Sequence, residues 1–425
     1  MIPTVNENYN ILDLFSGAGG LTEGFSQTGN FNMISHLEMN VHASKTLETR
    51  MLYYALLEKG EENIYKEYMA GFGTPGSREL FIEKCRNLGI GDTGIINAAI
   101  SLENRDELAG NIENNMKNSG ARKIDVIIGG PPCQAYSMLR RWRQTQDEAL
   151  SDSRLYLYQH YIHYLRKFHP RMYVFENVPG LQTINSGKFL ENIQKSMNSE
   201  GYKVAMNILD AADFNVVQHR RRIIFIGWQK SEKLDPPEFE SHHTSATIKD
   251  LIMEDLPILE AGTGNQIQVY RAGPNTYLRE SGIRPEDQEI LLHHVARPHC
   301  ERDLQIYKLA IEAMNEGRRI KYTDLPEELQ THRNTTSFLD RFKVVNQNGL
   351  SHSMVAHISR DGHYYIHPDI NHPRSLSVRE AARIQSFPDN YIFEGPRGPQ
   401  FVQIGNAVPP LMAKGIAKKI LEMLN

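Results

Sequence analysis

Short apolar runs alternate with longer amphipathic stretches along the first half of the chain. Five runs have the length and composition of buried strands, namely residues 10–15, 31–37, 124–128, 172–175 and 222–227. Helical patterns follow from about Leu21 to Gln27 and over much of 41–120, with a glycine-rich loop at 71–76. Short strands that alternate with helices favour an α/β fold with a mostly parallel sheet covered on both faces.

The first strand, helix and second strand form the clearest unit. The first strand ends in residues 16–20, SGAGG, and the second ends at Glu38, which predicts a right-handed βαβ unit. Glycines at such a turn let a ligand approach the backbone, and an acid after the second strand can hold ribose hydroxyls. This pattern does not distinguish a dinucleotide from S-adenosylmethionine, and a tight turn without a ligand would look the same.

The pattern changes near Asp235. The following stretch is rich in histidine, glycine and charge, with poor strand periodicity and one helical pattern at about 301–316. After Pro373 helical patterns return at 377–385 and 409–424. We interpret the chain as a first domain at 1–235 with an insertion at about 55–95, a smaller irregular domain at 236–371, and a C-terminal segment at 372–425 that returns to the first domain.

The composition is that of a globular protein with more than one domain, since 40% of its 425 residues are hydrophobic and 23% are charged. Its three cysteines, Cys85, Cys133 and Cys300, lack the spacing of a disulfide framework or a zinc site. We find no signal peptide and no apolar stretch of about 20 residues, and therefore expect a soluble protein of the cytosol. A net charge of −4 argues mildly against nucleic acid, although a locally basic face would suffice to bind it.

Cys133 is the first candidate for chemistry. It directly follows a predicted strand and the pair Pro131-Pro132, so it is expected at the carboxyl edge of the sheet, where open α/β sheets bind ligands. The prolines stiffen the turn and polar residues follow, which favours an accessible thiolate nucleophile over an inert buried cysteine.

Two further candidates lie at strand ends. Glu176 closes the strand at 172–175 and could act as an acid towards a ring nitrogen, or could simply be solvated. Residues 218–222, QHRRR, open a strand, and alternation places Arg220 and Arg222 on one face. We expect these arginines to lie outside the core and to contact phosphates and a base carbonyl, with a solvated strand edge as the alternative.

Six segments occur in the order found in the DNA cytosine-5 methyltransferases: 13–20 (DLFSGAGG), 130–134 (GPPCQ), 176–178 (ENV), 218–222 (QHRRR), 374–388 (RSLSVREAARIQSFP) and 403–410 (QIGNAVPP). The chain therefore resembles this family, in its prokaryotic restriction-modification type, over nearly its whole length. The resemblance implies a Rossmann-like class I methyltransferase with a mixed sheet, and a target-recognition domain at 236–371.

The resemblance also implies a reaction. Cys133 would add to C6 of a cytosine flipped out of duplex DNA, and C5 would take the methyl group of S-adenosylmethionine, leaving S-adenosylhomocysteine. Glu176 would bind N3 and the exocyclic amine, and Arg222 would bind O2, with Arg220 beside it. No metal is implied.

The remaining site residues follow from the family pattern alone. The cofactor residues would be Phe15, Gly17, Gly19, Gly20, Glu38, Pro132, Leu157, Asn406 and Val408. The DNA-binding residues would be Gln134, Ser137, Arg140, Arg141, Arg143 and Ser353. The partners implied are double-stranded DNA and a functionally linked restriction endonuclease, with the enzyme itself a monomer.

The chain departs from the family pattern in three places. Asn215 and Val217 stand where glycine and proline are usual, and Ser353 stands where threonine is common. The acid of the third cofactor motif has two possible counterparts, Asn97 and Asp106.

Three other interpretations compete. A transfer RNA cytosine-5 methyltransferase of the same fold has a small recognition region, whereas more than a hundred residues separate Arg222 from Arg374 here. A nicotinamide-dependent oxidoreductase would leave Cys133 and the Asn406 segment without a role. An inactive DNA-binding regulator would not need Cys133, Glu176 and Arg222.

Overall fold

The computed structural model describes residues 8–131, 157–331 and 334–425, without the side chains of 184–186. Pro132 to Tyr156 lie outside the described residues, as do His332 and Arg333. The first of these segments includes Cys133 and the predicted DNA-binding arginines Arg140, Arg141 and Arg143.

A seven-stranded mixed sheet forms the centre of the described chain. Its strands are β1 (Tyr9–Leu14), β2 (Phe31–Glu38), β3 (Ile95–Asn97), β4 (Val126–Gly129), β5 (Met172–Asn177), β6 (Tyr202–Asp210) and β7 (Arg221–Gln229). They are arranged in the order β3-β2-β1-β4-β5-β7-β6. The first five run parallel, and β7 runs antiparallel to β5 and β6. This arrangement confirms the predicted α/β class and its Rossmann-like mixed sheet.

Two strands of this sheet were not anticipated from the sequence pattern. β3 has only three residues and lies inside the stretch that was predicted to be helical. β6 pairs only with β7 at the sheet edge, and most of its residues are partly exposed, so its apolar positions do not form a clear run.

The helices cover both faces of the sheet and continue beyond it. They are α1 (Gly20–Ser26), α2 (Val41–Lys59), α3 (Glu62–Ala70), α4 (Ser77–Asn87), α5 (Arg105–Ser119), α6 (Leu157–Phe168), α7 (Lys188–Ser199), α8 (Ile248–Ile252), α9 (Thr276–Glu280), α10 (Glu301–Asn315), α11 (Val378–Ile384), α12 (Arg397–Asn406) and α13 (Pro410–Leu424). Among the helices described, none is long and apolar enough to span a bilayer.

The core has a layer on each face of the sheet. Ile112 of α5, Tyr161 of α6 and Ile193 of α7 pack in one buried cluster, which includes Ile127 of β4. Helices α1 and α13 cover the opposite face of the sheet, where they pack against the alternate side chains of the same strands. Because side chains of a strand point alternately to the two faces, a strand covered on both sides must be apolar throughout, as β4 is.

Helices α3 and α4 belong to the predicted insertion at about 55–95. Tyr68 and Phe81 stack at a centroid distance of 4.5 Å within a buried cluster that also contains Leu292 and Ile392. Leu292 belongs to β9 (Ile290–Leu292), which pairs with β8 (Ile267–Val269). The inserted helices therefore pack against the irregular region that follows Asp235.

The C-terminal segment packs against the beginning of the chain. A Cβ atom added to Gly24 of α1 would lie 2.4 Å from Cβ of Ala413, so α1 and α13 cross in close contact. Helix α11 begins with a capping box, since the backbone N–H of Ser377 donates to Glu380 Oε2 at 2.7 Å and that of Glu380 donates to Ser377 Oγ at 3.2 Å. Both helices were predicted from their patterns.

Candidate active site

The carboxyl ends of β1, β2, β3, β4 and β5 lie at one edge of the sheet, together with the start of the antiparallel β7. Polar groups from distant parts of the sequence meet at this edge. They form two neighbouring sets, one around the glycine turn after β1 and the other around the end of β5.

The glycine turn has a backbone that few residues adopt. Phe15, Gly17 and Gly19 have φ angles of 57°, 57° and 78°, in the left-handed region that favours glycine. Among the described residues, no atom lies within 4 Å of a Cβ atom placed on Gly17, so this part of the chain leaves the Gly17 backbone open. The left-handed φ of Phe15 costs free energy and persists because the surrounding structure stabilises it. Such strained residues are common at functional turns.

Glu38, the last residue of β2, reaches back to this turn. Its carboxylate accepts hydrogen bonds from the backbone N–H groups of Gly17 at 2.8 Å and Asn40 at 2.7 Å. Burial raises the pKa of this carboxyl, and the backbone hydrogen bonds oppose the rise. A carboxylate can accept about four hydrogen bonds, so capacity remains for a ligand such as a ribose.

Asp13, which the sequence pattern did not single out, lies beneath the turn and is buried. Its Oδ2 accepts a hydrogen bond of 2.6 Å from Thr22, while its Oδ1 has no hydrogen-bond partner among the described residues. Burial raises the pKa of Asp13 to about 7; the Thr22 hydrogen bond opposes this rise and the charge of Glu38 adds to it.

The segment after α12 closes the turn from the other side. A Cβ atom at Gly20 would lie 2.2 Å from the carbonyl oxygen of Val408, so only glycine fits there. Val408 is buried, and Asn406 at the end of α12 is exposed. The structure thus brings together Gly20 and Val408, two of the predicted cofactor residues from opposite ends of the sequence.

The register of the sheet separates the two counterparts of the third-motif acid. Asn97 ends β3 directly opposite Glu38, and its Nδ2 donates to the Glu38 carbonyl at 2.8 Å. Asp106 lies on α5 with a side chain that is 80% exposed, and it pairs with His163. Asn97 is therefore the one that lies at the sheet edge beside the glycine turn.

The second set is built around Glu176. Its Oε1 lies 2.7 Å from Nε of Arg222, and both side chains are mostly shielded, with 15% and 11% exposed. The end of β4 lies directly against this carboxylate, since a Cβ atom at Gly130 would be 2.6 Å from Glu176 Oε2. Cys133 follows three residues later in the sequence, outside the described residues.

Arg220 does not belong to this pair, and the expectation that it lies outside the core is wrong. Its side chain is fully buried. Its guanidinium donates to the carbonyl oxygens of Met354, Gly405 and Ala407, with distances of 3.0 Å and 2.8 Å for the last two. These contacts make Arg220 a positioning residue that joins three segments behind the site, since a guanidinium is well suited to bridge several carbonyls.

Gln218 makes a second buried connection that the sequence reasoning missed. Its Nε2 donates to Gln385 Oε1 at 2.6 Å, and its Oε1 accepts from the backbone N–H of Met354 at 2.6 Å. Gln385 in turn donates to the carbonyls of Ile404 and Ala407. Gln218 and Gln385, from two sequence motifs, thus hydrogen-bond to each other, and Gln385 bonds the backbone of the third motif at 403–410. The signal in the sequence was the amide residue that each of these motifs contains.

Other predicted positions have plain structural settings. Leu157 is the first residue of α6 and is partly buried, and the carbonyl of Ser353 accepts a hydrogen bond from Tyr365 at 2.9 Å. Asn215 has a φ of 60°, which explains how asparagine can replace the usual glycine there, and Val217 is buried. Several predicted residues lie outside the described chain: Pro132, Cys133, Gln134, Ser137, Arg140, Arg141 and Arg143.

A glycine turn with an acid on the next strand, on a sheet of this order, defines a class I methyltransferase fold. A crystal structure of a prophage-encoded DNA modification methyltransferase from E. coli has the same fold, with a TM-score of 0.65 and 24% identity; the match covers 98% of this chain and 100% of that one.

Sequence comparisons identify the family. Residues 99–422 match the model of the C-5 cytosine-specific DNA methylases. The type II methyltransferase M.Bpa9945I of Bacillus paralicheniformis is 41% identical, over 98% of this chain and 99% of its own length. M.DdeI of Desulfomicrobium norvegicum is 30% identical, over 97% and 88%. The chain belongs to the C-5 cytosine-specific DNA methylases, and is thus a DNA cytosine-5 methyltransferase.

Proposed function

We propose that this enzyme methylates cytosine at C5 within one short sequence of duplex DNA, with S-adenosylmethionine as donor and Cys133 as nucleophile. The observation that carries the proposal is the Glu176–Arg222 pair, packed against Gly130 three residues before Cys133 in the sequence. These two side chains match one edge of a cytosine ring. A carboxyl can bind N3 and the exocyclic amine, and a guanidinium can donate to O2.

The chemistry of the base explains why a thiolate is needed. C5 of cytosine is a poor nucleophile, and addition of the Cys133 thiolate to C6 would move the ring electrons to C5. Glu176 would donate a proton to N3 and Arg222 would bind O2, which stabilises the negative charge that develops on the ring. Once C5 carries the methyl group, C5 loses its hydrogen as a proton to solvent and the S–C6 bond breaks. These two steps restore the aromatic ring.

The residues of the glycine turn fit the proposed cofactor. The open backbone at Gly17 and the spare acceptor capacity of Glu38 suit an adenosine with free ribose hydroxyls. Bound there, S-adenosylmethionine would supply an electrophilic methyl group. The cofactor would be surrounded by Phe15, Gly19, Gly20, Asn406 and Val408. Asn97 would lie beside its adenine, and Pro132 and Leu157 would lie nearer the target cytosine.

Access to the target atom requires base flipping, because C5 and C6 are stacked inside a duplex. The DNA would be contacted by the predicted DNA-binding residues, namely Gln134, Ser137, Arg140, Arg141, Arg143 and Ser353. The named relatives are type II methyltransferases, which supports a partnership with a cognate restriction endonuclease, and we expect the enzyme to act as a cytosolic monomer.

The test is transfer of labelled methyl from S-adenosylmethionine to unmethylated plasmid DNA, with transfer RNA in parallel, followed by bisulfite sequencing. Label in DNA at one short motif is expected. Label in RNA alone would support the transfer RNA enzyme instead, and label in neither would contradict the proposal.

Two variants test the assigned roles. Cys133→Ser should abolish transfer while the affinity for S-adenosylmethionine stays within about twofold, and substantial turnover would exclude Cys133 as the nucleophile.

Glu176→Gln should lower kcat by at least about a hundredfold with little effect on DNA affinity, as expected for removal of one stabilising donor. Equal losses in both would reduce Glu176 to a binding residue.

A further inference from the structure

Phe338 is a large apolar side chain that the fold holds out in solvent. It is 70% exposed, whereas the next residue, Leu339, turns inward and packs against a buried cluster that contains Tyr322 and Phe342. Its φ of 54° is rare for an aromatic residue. The backbone is thus held in a conformation that costs free energy and presents an aromatic ring to solvent.

The loop around Phe338 is held by Arg341. The guanidinium donates to the carbonyl oxygens of Phe338 at 2.9 Å, Asn334 at 2.9 Å and Ser337 at 3.2 Å. It also lies 4.0 Å from the centre of the Tyr322 ring. A planar donor with three carbonyl acceptors and a ring beneath it fixes a loop more firmly than isolated contacts would. Phe338 therefore projects from a rigid support.

A chain of contacts connects this loop to the active-site edge. Tyr364 donates a hydrogen bond of 3.5 Å to Asp340, and its carbonyl oxygen lies 2.8 Å from Nε2 of His352. Ser351, the residue before His352, pairs with Gln218, just before β7 begins with the Arg222 segment. Phe338 thus belongs to the part of the recognition region that is attached at the mouth of β7.

The loop that presents Phe338 contains one cation, Arg341, and two more cations lie on the neighbouring part of the fold. The carbonyls that hold Arg341 carry no formal charge, so the loop keeps the positive charge of its guanidinium. Nζ of Lys343 lies 4.9 Å from the Tyr364 ring, and the charges of Lys343 and Arg319 both contribute to a lowered pKa of His352, after the effect of burial. Asp340, which accepts the hydrogen bond from Tyr364, is an acidic residue of the same loop. An exposed aromatic ring on a loop that an arginine holds suits a polyanion that exposes flat apolar faces, as DNA does.

We propose that Phe338 is a wedge that inserts against the base stack of the bound duplex and helps to release the target cytosine. The proposal rests on the DNA methyltransferase function above. Apolar side chains that enter a base step unstack it and distort the duplex, which lowers the cost of extruding a base.

The first experiment compares Phe338→Gly and Phe338→Trp with the wild-type enzyme on unmethylated plasmid DNA. Glycine removes the ring and relieves the strained φ, so Phe338→Gly should unfold at an equal or higher temperature while kcat/KM for DNA methylation falls at least tenfold. Affinity for S-adenosylmethionine should not change, and Phe338→Trp should retain most of the activity. Val269→Ala, which trims another exposed apolar side chain of this region, should behave as the wild type does.

The second experiment asks whether the ring acts by opening the duplex. Once the target motif is mapped with the wild-type enzyme, the same variants are assayed on a short duplex with a mismatch opposite the target cytosine. The defect of Phe338→Gly should largely disappear, because a mismatched base is already easier to flip. A defect of the same size on both duplexes would overturn the wedge, as would full activity of Phe338→Gly on plasmid DNA. A wild-type enzyme that methylates no DNA would reject the proposed function and the wedge together.

Discussion

Asp13 places an ionisable group in the interior directly below the glycine turn. Burial favours the neutral form of this carboxyl and raises its pKa to about 7, although a hydrogen bond from Thr22 opposes the rise. The carboxyl is therefore near its titration midpoint at neutral pH, close to Glu38. A motif identifies such a residue by type only, since its burial depends on Thr22 and on packing from distant elements.

Asp13→Asn tests this at the level of stability. In the wild type the folded pKa is raised above the unfolded value of 3.8, so the stabilising contribution is fully present below about pH 4 and is lost as pH rises through about 7. Asparagine stays neutral and can still accept from Thr22. We expect the melting temperature of the variant, relative to wild type, to increase from pH 5 to pH 8.

Glu58→Gln, at an exposed position of α2, serves as the matched control, and its melting temperature relative to wild type should not vary over this range. If Asp13→Asn gave a difference as constant as that of the control, Asp13 would not titrate in this window.

At the scale of elements, the sequence predicts those helices and strands whose signals are local. Helices α11 and α13 were predictable, because a capping box and a strong apolar period are local properties of the sequence. Strand β6 and helix α12 were not: β6 is a half-exposed edge strand, and α12 begins with Arg-Gly-Pro and carries buried polar residues such as Gln403. Arg220 was misjudged for a similar reason, since its carbonyl partners come from segments more than 130 residues away.

Gly20→Ala and Gly110→Ala form a matched pair of helix substitutions. At Gly20 the new methyl group would collide with the Val408 carbonyl, so we expect a loss of about 1–3 kcal/mol in stability and a marked loss of cofactor affinity. Gly110 lies within α5, where a Cβ atom would meet nothing within 4 Å, so alanine should add about 0.5–1 kcal/mol. Denaturant unfolding and calorimetric titration with S-adenosylmethionine measure both; equal effects would show that the Gly20 contact does not matter.

At the scale of the whole molecule, buried ion pairs join the irregular region that follows Asp235 to the C-terminal segment. Asp255, just after α8, bonds Arg383 of α11 at 2.6 Å and 2.8 Å and Arg284 at 2.6 Å, with all three side chains buried. Composition and hydropathy indicate two regions but not this connection, because a charged residue in sequence is normally expected at the surface. The division into domains at 235 and 371 remains an interpretation.

Asp255→Asn should therefore destabilise the protein strongly. It leaves two buried guanidinium groups with less negative charge, and removing one partner of a buried pair typically costs about 3–5 kcal/mol. Asp287→Asn, which removes an exposed partner of Lys66, should change the free energy of unfolding by less than about 0.5 kcal/mol. Similar values for the two variants in denaturant unfolding would mean that the buried pairs do not hold the regions together.

The contact between Gly20 and Val408 also has a consequence for biosynthesis. A ribosome makes the segment that closes the glycine turn about 390 residues after the turn itself, since Val408 closes the turn at Gly20. Regions made first generally begin to fold while synthesis continues, so the sheet would exist before the glycine turn is closed. A growing chain would then gain the power to modify DNA only after Val408 has been translated, and translation products that stop before it would carry the turn without its closing segment.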